Sequence, residues 1–488
     1  MMNKSGWMLC PAAFFLVANL TVSPVKSLFF SRLIYFLFFI SLFFFLRGFD
    51  LSKILKAVIG GVSFIIFIYG IFQKFVLFPL YLENFKVKDD FYSQAIIARI
   101  ESGRIFSIFE LPTLYAIICA VLVLFLFHYL LKEPKQNVKY KVLWALLLGL
   151  GVVNLVLTQS FGGIVYLSVG IIMYLTLSGV LKFKYLAPAI MLLSLFLSIT
   201  IAFRFSEARN LEPITYRFSN WVQAARVIES SPFWGVGLGN YESRVSYFTR
   251  GSEAKSIYAH NFFLQFISET GIVVSLFLLF LLGLSWKKLK PRLPFEKEKI
   301  LHISVFAILI VYSLIDIGFY FFAAAIAATI ALSQVYPAER KRNFSLNLVV
   351  LLLMTTLLGA EGISENYRKE ADFLTNQEQY IEAESSYRKS LIFNPFNART
   401  YMSRAFLAIT RENFGEAEKN LAEVLAVYPD SSFANYLKSK VELRRGRLLS
   451  AYYHASLAYR KNPVNSRYKK WYTAIKNNLE SHMQGGAP

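Results

Sequence analysis

One stretch of this sequence concentrates polar side chains where an apolar helix begins: Tyr258-Ala259-His260-Asn261-Phe262-Phe263-Leu264-Gln265-Phe266-Ile267-Ser268-Glu269-Thr270-Gly271. Asn261, Gln265 and Glu269 recur at steps of four, so they share one face of the helix that His260 opens. Polar and ionisable groups are costly in an apolar span and face a cavity or a bundle interior. A histidine there can take a proton from a hydroxyl. The plainer alternative is a helix cap with interhelical hydrogen bonds. Upstream, Thr215-Tyr216-Arg217-Phe218-Ser219-Asn220-Trp221 precedes Ser231-Pro232-Phe233-Trp234-Gly235-Val236-Gly237-Leu238-Gly239-Asn240-Tyr241. Gly235, Gly237 and Gly239 let backbone approach a ligand closely, or simply form turns. No nucleotide-binding βα pattern follows them.

Those residues need elements to position them, and composition says which. The chain has 488 residues, 56% apolar and only 17% charged, with a mean hydropathy of +0.46. That balance excludes a disordered chain and a small disulfide scaffold. The two cysteines, Cys10 and Cys119, lie in apolar runs, and no metal-ligand spacing surrounds them. The expected fold class is all-α: a polytopic transmembrane bundle followed by a soluble helical-repeat domain. Apolar runs of spanning length fall near 7–23, 28–46, 54–73, 111–131, 142–158, 161–180, 185–203, 260–284, 300–317, 319–335 and 345–361, about eleven spans. The first follows Lys4 and is interrupted by Pro11. It resembles a signal sequence but lacks a clean cleavage site, so it is expected to be retained.

The net charge of +21 then becomes a topology signal rather than a nucleic-acid one. With the N-terminus in the cytoplasm, the short basic loops all fall inside: Arg47/Lys53/Lys56, Lys132/Lys135/Lys139/Lys141, Lys182/Lys184, Lys287/Lys288/Lys290/Arg292 and Arg340/Lys341/Arg342. Two long loops, about 74–110 and 204–259, are left outside. They carry Arg99, Arg104, Arg204, Arg209, Arg217, Arg226, Arg244 and Arg250, which the topology rule does not require. A planar guanidinium binds phosphate oxygens in a bidentate way, so this set suits a diphosphate. Solvated charge or contact with phospholipid headgroups is the alternative for any one of them.

After Ala360 the composition turns polar. Pro395, Pro429 and Pro463 are spaced by 34 residues, as are Ala383, Ala417 and Ala451, and Tyr380, Phe414 and Leu448. That is the period of tetratricopeptide repeats, stacked helix pairs that bind rather than catalyse. The expected division is therefore a membrane domain over 1–361, about three repeats over 362–480 and a tail at 481–488. The repeats would lie outside the membrane and could hold a peptide, a partner protein or a glycan.

"RFSNW…SSPFWGVGLGNY" followed by "AHNFFLQFISETG" resembles the signature of the O-antigen ligase and polymerase superfamily. Weaker likenesses lie in residues 99–116, in Thr158-Gln159-Ser160-Phe161-Gly162-Gly163 and at Asp316. The family often has arginine where this chain has Phe161, which leaves the role of 158–163 open. The resemblance implies a multi-pass enzyme of the bacterial inner membrane, active on its outer side in cell-surface polysaccharide assembly. It implies transfer of a glycan from undecaprenyl diphosphate to an acceptor hydroxyl of lipid A–core, of another glycan or of a protein. His260 would be catalytic and Arg217, Arg99 and Arg104 would bind the diphosphate. Asn261, Gln265, Glu269, Gly235, Gly237 and Asp316 would support them. The transfer would invert the anomeric centre and use no metal and no cofactor. The expected partners are the lipid-linked donor, the acceptor and membrane lipids, with no nucleic acid. Polymerase and protein O-oligosaccharyltransferase readings stay open within the superfamily. A lipid-linked glycan flippase is the competing class, although it would place arginines along helices rather than in outer loops.

Overall fold

A chain this apolar can satisfy its backbone in lipid only as helix or closed barrel. The computed structural model, described for residues 6–84, 97–98, 100–132, 138–185, 188, 191, 212–250, 256–289, 296–336 and 344–484, is helical with no strand among those residues. Six helices are long and apolar enough to cross a membrane by length and composition: Lys26–Leu46, Ser52–Glu83, Pro112–Lys132, Val138–Leu157, Lys297–Ile315 and Ser345–Asn376. Phe161–Leu177, Phe262–Phe277 and Phe322–Val335 are apolar but shorter, and the first expected span is the 17-residue helix α1, Gly6–Val22. The span expected near 185–203 lies almost entirely outside the described residues.

The chain divides into two compact units. One joins Met1–Phe38, Ile214–Gly283 and Val349–Pro488; the other joins Phe39–Pro213 and Leu284–Leu348.

The core of the second unit is α2, Pro112–Lys132, whose residues from Leu114 to Leu126 are all buried. A helix apolar all round has no solvent face to offer and packs on every side. It is surrounded by α3, Val138–Leu157, α4, Phe161–Leu177, and α5, Lys297–Ile315. Lipid tails are as apolar as leucine, so contact between these helices depends on close packing by small residues. A Cβ on Gly163 would meet Ala116, one on Gly151 would meet Val123 and Phe67, and one on Gly170 would meet Ile308 and Leu124.

Most of the described residues of the stretch expected as an outer loop, 212–250 and 256–259, fall in the first unit, and most of them are helical. α6, Glu212–Ser230, leads into the glycine turn, then α7, Tyr241–Phe248, then α8, Phe262–Leu289. α8 is interrupted at Gly271, whose φ of 80° and ψ of 167° are not helical. One helix, α9, runs Phe344–Asn376 from apolar to polar sequence, across the position near 361. Beyond it, helices start at Tyr380, Phe414 and Leu448, and their partners at Ala398, Ser432 and Ser466. The small residues Ala383, Ala417 and Ala451 are fully buried. Asn397, Asn413 and Ser431 cap three of these helices by accepting backbone N–H bonds of the first turn.

Candidate functional site

His260 sits just before α8 with φ at +48°, a left-handed conformation that is uncommon for a residue with a side chain. Three contacts fix it. The Trp221 indole N–H donates to the His260 carbonyl at 3.1 Å, and the Tyr216 ring meets the imidazole edge to face at 6.1 Å. The N–H of Ala259, the preceding residue, donates to Gln265 Oε1 at 3.1 Å. Asn261 turns its Oδ1 to accept the Leu264 N–H at 3.0 Å. It therefore caps the helix.

The remaining positions of that helix face do something the spacing alone does not state. Gln265 Nε2 donates to Glu269 Oε1 at 3.2 Å, while Glu269 Oε2 accepts the Gly239 N–H at 2.9 Å. Glu269 is only 1% exposed, and a buried carboxylate needs such donors. Its charge, together with burial as the larger cause, raises the Tyr241 hydroxyl above its ordinary value. So a continuous line of hydrogen bonds runs from the glycine turn through Glu269 and Gln265 to the peptide before His260.

The glycine turn itself is packed against protein. Val236 N–H donates to Ser268 O and Gly237 N–H to Glu269 O, each at 2.9 Å, so the turn pairs with the last residues before the break in α8. Gly235, Gly237 and Gly239 all have positive φ. The Cβ positions of the first two are taken by Glu269 backbone and by Ser23, 2.4 and 2.1 Å away. Only glycine gives both the conformation and the approach.

Asn19 of α1 was not identified from sequence and is central here. Its Nδ2 donates to Trp234 O at 2.8 Å and Glu269 O at 2.9 Å, and its Oδ1 accepts the Leu238 N–H at 2.7 Å. Asn240 likewise accepts from Val25 N–H and donates to Val25 O. The available signal was a lone asparagine in an otherwise apolar run, which marks a buried polar contact without saying where.

Arg217 lies on α6, half-buried, in the same unit. Arg99, Arg204 and Arg209 lie outside the described residues. Arg104 and Asp316 belong to the second unit. There Arg104 Nε donates to Thr158 O at 3.0 Å, and Lys74 Nζ donates to the neighbouring Gly103 O at 2.7 Å. Gln73, in a π-helical turn over Gln73–Leu77, accepts the N–H groups of Phe106 and Ser107. The segment 103–107 is thus pinned from two sides. Asp316 is buried and accepts the Ile317 N–H at the end of α5. Among the described residues no group of three or more His, Cys, Asp or Glu side chains could hold a metal ion.

No curated protein matches the chain. Residues 144–280 match a family model described as O-Antigen ligase. That span contains Thr158–Gly163, Arg217, the glycine turn and the whole His260–Glu269 network; Arg104, Asp316 and the C-terminal helices lie outside it. With the apolar helices, the match indicates a multi-pass membrane protein with a function of the O-antigen ligase or polymerase type, and over those residues the chain is similar to the O-antigen ligase family.

Proposed function

We propose that this protein is an O-antigen ligase-like glycosyltransferase. It moves a glycan from undecaprenyl diphosphate to an acceptor hydroxyl at the outer face of the bacterial inner membrane. The observation that carries this reading is His260, held in a strained conformation by Trp221 and by the Gln265–Glu269 line, within the family-matched segment. Strained residues over-determined by their surroundings cluster at working sites.

In this scheme the acceptor oxygen attacks the anomeric carbon as the glycosyl–phosphate bond breaks. The bonding electrons leave with the diphosphate, and the acceptor proton passes to the His260 imidazole. Arginine stabilises charge developing on the leaving group; Arg217 is the first candidate, with Arg99 and Arg104 as further ones. Displacement in one step inverts the anomeric centre, and it needs neither metal nor cofactor. Phe161 replaces the arginine common in the family, and Arg104, which donates to Thr158 O, is our candidate to supply that cation to the 158–163 segment. The C-terminal helices, with their 34-residue steps, read as tetratricopeptide repeats outside the membrane that hold a peptide, a protein or a glycan.

The test is a labelled lipid-diphosphate glycan offered to purified protein with lipid A–core, a second lipid-linked glycan or candidate protein as acceptor. Label on lipid A–core selects the ligase; label on either other acceptor replaces it with polymerase or protein glycosylation. His260→Ala is expected to lower turnover about 10²–10⁴-fold with donor binding retained. Turnover equal to the wild type would overturn the role of His260.

A further inference from the structure

α7, the eight-residue helix after the glycine turn, is gripped by the C-terminal helices of its own unit. Arg399, at the start of one of them, forms an ion pair with Glu242. The Tyr428 hydroxyl donates to Ser243 O at 3.1 Å. Asp430 accepts from Lys461 at 2.7 Å and lies 3.8 Å from Arg244. Lys461 in turn sits 5.1 Å from the centre of the Tyr247 ring. Burial would raise the Asp430 carboxyl, but Lys461, Tyr247 and Arg244 outweigh it and hold it below its ordinary range, so the group is ionised at neutral pH.

Tyr428 and Asp430 flank Pro429 in one of three equivalent turns. In the other two, the residues before proline are Asn394 and Asn462, and those after it are Phe396 and Val464. The repeat's own turn therefore does not demand a tyrosine and an aspartate there. Tyr428 has a partner on α7 in Ser243, and Asp430, already bonded to Lys461, has a second one in Arg244.

α7 leads directly into the line that ends at His260. The Ser243 hydroxyl donates to Asn240 O at 2.7 Å, and the adjacent Gly239 N–H meets the Glu269 carboxylate. We propose that Tyr428 and Asp430 are positioning residues. Their turn fixes α7, and through Asn240, Gly239, Glu269 and Gln265 it fixes the backbone before His260. The functional half of this inference rests on the reading of His260 given above; the mechanical half does not.

The experiment uses the full chain in detergent or lipid nanodiscs, with two readouts: hydrogen exchange of peptides covering 236–250 and 256–270, and turnover of the labelled donor. Tyr428→Phe combined with Asp430→Asn removes a hydrogen bond and a charge pair. It is expected to speed exchange in both segments and lower kcat, each about tenfold. Donor KM should stay within about twofold, because a positioning loss falls on kcat. Exchange in 112–132, the core of the other unit, is expected to stay unchanged and controls for general unfolding.

Glu242→Arg and Arg399→Glu should each loosen 236–250, and the double swap should restore both exchange and kcat. Unchanged exchange at 256–270, or loosened exchange with wild-type kcat, would overturn the inference. Absence of transfer by the wild type sinks the proposed reaction instead, and the exchange arms still decide whether the turn holds the His260 segment.

Discussion

The two units bury polar groups in different settings. In the second, Tyr115 donates its hydroxyl to Asn154 Oδ1 at 2.8 Å and lies 3.1 Å from Ile66 O. That cluster lies among apolar helices, shares Ile66 O with the Ser107 hydroxyl, and sits beside Gly70, whose Cβ position is crowded by Asn154 and Tyr115. In the first unit, Asn19 and Glu269 take up backbone groups of the glycine turn, Asn240 ties it to Val25, and Gln265 joins Glu269 to the Ala259 N–H. Hydrogen bonds to backbone fix direction and register. In the first unit the backbone so fixed leads to the segment that carries His260.

The contrast can be broken most sharply at Gly271. Its φ of +80° and ψ of 167° lie in a region open essentially to glycine, and a Cβ would stand 2.1 Å from Phe233 O. Gly271→Ala is expected to cost at least about 3 kcal/mol, from backbone strain together with a clash against main chain. Thermal unfolding in detergent checks it, and a wild-type melting profile would mean that close backbone contact does not lock the turn.

A smaller loss is expected at Glu269. Glu269→Gln keeps the shape but removes the charge accepting from Gly239 and Gln265, worth about 1.5–3 kcal/mol for a charged hydrogen bond. Exchange of the Gly239 amide should accelerate while the 112–132 core stays protected. The smallest effect belongs to the bundle. Tyr115→Phe should cost about 0.6 kcal/mol, the average for polar contacts between spans. If its unfolding shift equals that of Glu269→Gln, the two clusters are not of different kinds.

Much of the polar face of α8 was legible beforehand, because spacing by four places Asn261, Gln265 and Glu269 together whatever else the chain does. What each does was not. Asn261 caps its own helix, while Glu269 is committed to a glycine thirty residues earlier. Asn19 shows the limit more clearly. A single asparagine in an apolar helix announces a buried partner, but its partners lie more than 200 residues away in sequence. The arginines show it too: residue type suits them to phosphate, yet Arg104 spends one donor on Thr158 O.

The repeat period behaves as the helix face does. A 34-residue recurrence of Ala383, Ala417 and Ala451 is readable from the chain, and those residues are buried where helices meet. Which turn of the series reaches out to α7 is not readable from the recurrence, since it depends on the exceptions, Tyr428 and Asp430, and on where they land.

By itself, then, the sequence determined helical type, apolar runs of spanning length, the repeat period and the shared face behind His260. All of these follow from interactions between near neighbours and from the solvent each side chain prefers. Only the tertiary structure decided that the glycine turn closes on Ser23 and Glu269, that Asn19 ties it there, and that a repeat turn holds α7. Those contacts join segments far apart in the chain, and their formation depends on the complementarity of whole packed surfaces, which no local pattern encodes.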